Sequence, residues 1–136
     1  LGLYFPWDCT GLYADLPCQA PKDAIFFFEA LAACSAVFHA ARTSVEPMDR
    51  IAVFSDNTNT VALFNTLRAL PDYNEMVKST VDILLEDNTQ LRVVHILGKD
   101  NVIADALSRK KFDLVLELVP GIQLSPFTPP RDALGA

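Results

Sequence analysis

The stretch Ala24–Arg42, AIFFFEALAACSAVFHAAR, limits the fold more than any other part of the chain. Its residues are apolar on nearly every face of a helical wheel. A helix of that kind is buried inside a domain or packed flat on a sheet, and its alanines allow close approach. Pro21 and Asp23 supply start chemistry, because proline is tolerated in a first turn and an acid is favoured at the positive end of the helix dipole. With 136 residues, the chain reads by length as one domain, large enough to enclose such an element. One residue breaks the pattern. An acid within FFFEALAA means that Glu29 either lies on a thin solvent-facing stripe or is paired or bound to a metal.

A second stretch, Arg50–Arg68 (RIAVFSDNTNTVALFNTLR), reads as a strand, a cap and a helix. Ile51–Phe54 form the buried strand, and Ser55-Asp56-Asn57-Thr58 stop it before an apolar-periodic helix begins. Asp56 therefore stands at the carboxyl end of a strand, where ligands and catalytic groups collect in open α/β sheets. It has a second reading as nothing more than the N-cap of the following helix.

Around these two stretches the pattern alternates between strand and helix. Leu1–Phe5 has strand chemistry ended by Pro6, and a second extended piece around Leu12–Ala14 makes a hairpin or meander with Gly11 near its turn. Thr43–Asp49 is a loop. Leu70-Pro71-Asp72 breaks the helix after Asp56, and Asp72 is placed to cap another over Tyr73–Leu85. Leu91–Leu97 is a strand, Gly98–Asn101 a turn, and Val102–Lys111 a helix with basic residues at its C-terminal end and Asp105 early in it. Phe112–Val119 is either a strand or a helical extension. Pro120–Ala136, rich in proline, reads as a tail or linker.

Composition narrows the function classes. Apolar residues make up 51% and charged residues 21%, which is globular rather than disordered. A net charge of -6 argues against a protein that holds nucleic acid by bulk electrostatics, although a local basic patch is compatible with it. No apolar run approaches the roughly 20 residues of a membrane span, and no leader pattern opens the chain, so an intracellular protein without membrane contact is expected. Cys9, Cys18 and Cys34 match no zinc spacing. Cys34 reads as a small buried hydrophobe, while Cys9 and Cys18 flank a turn where they would pair only in an oxidising compartment. His39 reads as a helix-face histidine.

Glu29, Asp56 and Asp105 thus occupy comparable positions around the strand ends. Three such carboxylates at one sheet edge suit a pair of hard divalent ions about 4 Å apart, which clamp the two oxygens of a phosphodiester displacement. The order of elements resembles the ribonuclease H-like fold. AVFSDNTNTV is similar to the segment bearing the third acid of that family. VVHILGKDNVIADALSR is similar to the end of the ribonuclease H domain of retroelement polyproteins, where N-x-x-A-D-x-L-S-R recurs. The tail SPFTPPRDALGA resembles the linker that follows in fungal tyrosine-recombinase and gypsy-type elements.

The resemblance spans about residues 1–111 and leaves 112–136 as an extension or linker. It implies an α/β fold whose mixed sheet has an antiparallel meander first and parallel strands later, with helices on both faces. It further implies hydrolysis of the RNA strand of RNA–DNA hybrids with Mg²⁺ or Mn²⁺. Glu29, Asp56 and Asp105 match the second, third and fourth metal-binding acids. Asn57 and Asn101 are candidates to contact substrate or support the metal ligands, His95 is placed as strand-end histidines are in these domains, and Lys99, Arg109, Lys110 and Lys111 are candidates to meet phosphates. His95 reads as a structural histidine first, and the basic residues equally as ordinary helix-end charges. The family's first strand and first acid have no counterpart here, since LGLYF matches the second strand and Asp8 is poorly placed to substitute. Two readings of function follow, a nuclease impaired by the loss of that acid or a non-catalytic binding module on the same fold, and the absent strand would expose a sheet edge with which another copy could pair as a homodimer.

Overall fold

A computed structural model describes residues 1–16, 24–43, 49–66 and 71–130. The elements follow in the order β1 (Gly2–Phe5), β2 (Thr10–Tyr13), α1 (Ala24–Thr43), β3 (Arg50–Ser55), α2 (Thr58–Thr66), α3 (Asn74–Glu86), β4 (Gln90–His95), α4 (Val102–Ser108), α5 (Phe112–Leu118) and β5 (Gln123–Pro126). The architecture is mixed α/β, with antiparallel and parallel pairing both present. Among the described residues the strands hydrogen-bond as two sets, β1-β2-β5 and β3-β4, where one continuous sheet was expected. The chain divides into two compact units. One is Leu1–Cys18 with Leu97–Thr128, and the other is Gln19–Ile96 with Pro129–Ala136.

In the first unit β2 is the central strand, antiparallel to β1 and parallel to β5. The register Gly2↔Tyr13 and Tyr4↔Gly11 puts two glycines and two tyrosines on one face, since side chains alternate along a strand. α4 packs on that face. A Cβ on Gly2 would stand 2.3 Å from the Ala104 carbonyl oxygen and 2.6 Å from the Ser108 nitrogen, so only glycine admits so close an approach. On this side the core cluster is Ala106, Leu107, Val115 and Ile122, with Tyr4, Cys9, Ile103, Val119 and Leu124 against it, and Leu3, Phe5 and Leu12 of the strands are buried as well. The Tyr13 and Phe112 rings lie 4.8 Å apart and tie α5 to the same face.

Three expectations change in this unit. The turn of the first hairpin spans Pro6–Cys9, with Cys9 at a φ of 54°, and Gly11 lies inside β2. Residues 112–128 are not a tail. α5 and β5 belong to the unit, and Val115 and Ile122 are buried in its core. The helix predicted to reach Lys111 stops at Ser108. Lys110 there takes a φ of 57°, and Lys111 N–H donates to Ala106 O (2.9 Å) and Lys110 N–H to Leu107 O (3.1 Å), the bonds of a left-handed C-terminal cap.

In the second unit α1 packs against α2, α3 and β3. Its Phe27, Ala30, Leu31, Ala33, Cys34, Val37 and Ala40 are buried, as the all-round apolar sequence requires. Phe26 stacks on Tyr73 with ring centroids 4.6 Å apart. The Cys34 thiol donates to Met76 O of α3 (3.7 Å), and burial pushes its pKa up to about 11. Ser35 and Thr80, both buried, donate back to the carbonyls of Leu31 (2.7 Å) and Met76 (2.9 Å), which removes the cost of burying a hydroxyl. Asp72 was expected to cap α3. It lies instead within a 3-10 turn, Pro71–Tyr73, and Tyr73 holds the cap position with no side-chain bond. β3 and β4 run parallel, with Ile51↔Leu91, Val53↔Val93 and Ser55↔His95 in register.

Candidate functional site

The parallel pair β3–β4 fixes the geometry around Asp56. Ser55 ends β3 opposite His95, which ends β4, and Ile96 N–H donates to Ser55 O (3.0 Å) as the last bond of the ladder. Asp56 and His95 therefore share the carboxyl edge of the pair. Asp56 is half-buried and His95 is exposed.

Asn57, not Asp56, caps the following helix. Its Oδ1 accepts the Thr60 N–H (2.9 Å) and the Thr60 hydroxyl (3.2 Å), and its carbonyl accepts the Val61 N–H (3.2 Å). The buried Ser55 Oγ accepts the Asn57 N–H (3.2 Å) and fixes the start of that turn. Asp56 takes part in none of these bonds. Asn57, expected near substrate, has its side-chain oxygen committed to α2.

Glu29 is half-buried on α1, which packs on β3 and α2 in the same unit. Asp105 belongs to the other unit, where it is exposed on α4 and forms an ion pair with Arg109 (Nε to Oδ1, 3.3 Å), one turn further along. Arg109, expected to meet substrate, thus neutralises an expected metal ligand. Lys110 is paired with Asp15, whose carboxyl is held below its ordinary range by the Lys110 ammonium. Lys99 and Lys111 are exposed. Asn101 is half-buried at the start of α4 and makes no side-chain cap.

Glu29, Asp56 and Asp105 are the hard oxygen donors that Mg²⁺ and Mn²⁺ prefer. Among the described residues, however, no three His, Cys, Asp or Glu side chains stand together as a metal-binding group. The donor chemistry of these acids fits a divalent ion, with Glu29 and Asp56 in one unit and Asp105 in the other. Among the described residues, too, no helix is long and apolar enough to cross a membrane.

One arrangement carries no signal in the local sequence. Asn65 of α2 donates from Nδ2 to Val93 O (2.8 Å) and accepts the Val93 N–H at Oδ1 (3.1 Å). Its amide thereby occupies the outer edge of β4 as a neighbouring strand would. Read by periodicity, Asn65 is only a polar position near the end of a helix.

No family model, curated protein or solved structure matches the chain.

Proposed function

We propose that the chain is a ribonuclease H-like domain of the retroelement-polyprotein kind, with helices on both faces of its sheet and an ancestral activity of metal-dependent hydrolysis of RNA in RNA–DNA hybrids. The observation that carries this reading is the freedom of Asp56. An acid at the carboxyl edge of a parallel strand pair has two ordinary duties, to cap the next helix or to serve a site, and here Asn57 does the capping. The motif Asn101-x-x-Ala104-Asp105-x-Leu107-Ser108-Arg109 supports the same reading from the sequence. A bound divalent ion would supply an activated water and offset charge on the phosphate.

The test is cleavage of a labelled RNA–DNA hybrid by the purified chain across a titration of Mg²⁺ and Mn²⁺. Cleavage is expected to require metal and to fall at least about 100-fold in Asp56→Asn, the scale of losing a group that stabilises the transition state. Activity unchanged in Asp56→Asn would sink the assignment.

A second reading, a non-catalytic binding module on the same fold, is favoured by the Asp105–Arg109 pair, which leaves the acid with a partner other than metal. It predicts no cleavage at any metal concentration and a thermal midpoint indifferent to Mg²⁺. A midpoint that rises by several degrees with Mg²⁺ would count against it.

A further inference from the structure

We infer that the segment Pro126–Arg131 is a ligand for a polyproline-binding domain, one whose aromatic-lined groove ends in an acidic pocket. The inference stands independently of the nuclease reading. The segment reads PFTPPR, a P-x-x-P-x-R pattern, and Arg131 is the one cation that follows Lys111 in the sequence. Prolines three apart suit a polyproline II helix, which has three residues per turn and no internal hydrogen bonds. In that form positions 126 and 129 recur along one edge, and 128 and 131 along the next. Segments of this composition act either as stiff spacers or as ligands for such grooves.

The way β5 is held favours the ligand. Gln123 N–H donates to Cys9 O (2.9 Å) and Phe127 N–H to Tyr13 O (2.9 Å), so the odd-numbered residues of the segment bond to β2. Leu124 and Pro126 alternate with them and direct their backbone groups away from β2. Pro126 has no N–H to offer on that side. A strand added there, from a second copy or from another protein, would find a donor at Leu124 and none at Pro126, so the edge is closed to strand pairing. A polyproline groove needs no such donor. Its Tyr and Trp side chains pack on proline rings and donate O–H or N–H to free carbonyls. Among the described residues, the Phe127 N–H makes the last backbone bond of the segment to β2; Pro126 and Thr128 are exposed, and Phe127, Pro129 and Pro130 are half-buried. Pro129 restricts Thr128 to extended backbone, and the two consecutive imides fix their own φ, so little chain entropy is lost on binding. Arg131 gives the ligand a direction. A cation at the C-terminal end of the pattern pairs with carboxylates at one end of the groove.

The test is titration calorimetry of the full chain with a purified SH3 domain selective for P-x-x-P-x-R peptides. One-to-one binding with a Kd of about 10–100 μM is expected, because six residues cover less than the roughly 1,200 Å² of a standard interface. Pro129→Ala and Arg131→Ala should each weaken it by about tenfold or more, the scale of losing an anchor residue. Arg131→Glu should abolish it, since an acid then meets the acidic pocket. Pro126→Ala restores an N–H on the side of β5 away from β2. It should weaken binding while hydrogen exchange at the Ser125 and Phe127 amides stays unchanged. Pro129 and Arg131 lie outside β5, so their variants keep the test decisive if Pro126→Ala loosens the strand. No binding up to about 1 mM, or binding indifferent to Pro129→Ala and Arg131→Ala, overturns the inference. Binding that falls with Arg131→Ala alone overturns it too, by reducing the contact to charge.

Discussion

Single residues set the sharpest conditions on this chain. Gly2 is fixed by backbone contact, because the Ala104 carbonyl stands where a Cβ would be. Cys34 is fixed by burial, and it gives the protein a pH dependence whose sign follows from its raised pKa. Its thiol ionises near 9.0 in the unfolded chain and near 11 when folded, so between those values the folded state holds the extra proton. That contribution is full below pH 9 and is lost as pH rises through about 11, with a slope approaching 1.4 kcal/mol per pH unit. Denaturant melts of the protein and of Cys34→Ala from pH 8 to 11 should show their difference in stability shrinking by about 2–3 kcal/mol. A constant difference would mean that the thiol ionises as freely in the folded protein as in the unfolded one.

Among the elements, β4 shows how a short strand is held from both sides. β3 pairs with one edge through backbone, and at the other α2 takes the Val93 N–H and C=O through the Asn65 amide. Asn65→Ala leaves the N–H and C=O of the buried Val93 without their partner and should cost about 1–3 kcal/mol, the penalty of an unsatisfied buried group. Faster hydrogen exchange at the Val93 amide, with its neighbours little changed, is the expected signature. An unaltered exchange rate would show that the edge is closed by something other than this side chain. Helix ends follow similar logic. α3 and α4 both stop where a residue other than glycine, Asn88 or Lys110, turns left-handed, at φ values of 52° and 57°.

At the scale of the whole molecule, the first unit is assembled from the two ends of the described chain. β1 and β2 come from its beginning and α4, α5 and β5 from residues after 97. A chain stopped after Lys111 keeps every strand and helix that the family resemblance spans, yet loses β5 from beside β2 and Val115 and Ile122 from the core. Leu107 and Gly11 would lose the packing that Ile122 and Leu124 give them. Truncation is therefore expected to destabilise this unit by several kcal/mol, the cost of removing two large buried side chains. The loss should be visible as rapid hydrogen exchange in β1 and β2. Full protection in the truncated chain would restore residues 112–136 to the role of a linker.

The amino-acid sequence by itself determined where the helices and most strands lie, because period, caps and breakers act within a few residues. The apolar run of α1, the strand ending at Ser55 and the helix carrying Asp105 follow from that local chemistry. It also placed Asp56 at a strand end but left open whether Asp56 serves a site or caps α2. Only the tertiary structure gave the cap to Asn57, by turning its side chain onto Thr60. The same holds for β5, whose proline-rich sequence reads as a linker until β2, more than 100 residues earlier, offers it a partner. It holds again for Asn65, whose contact lies 28 residues away on β4. Local pattern specifies what an element is, while pairing and edge closure depend on which distant backbone groups arrive beside it.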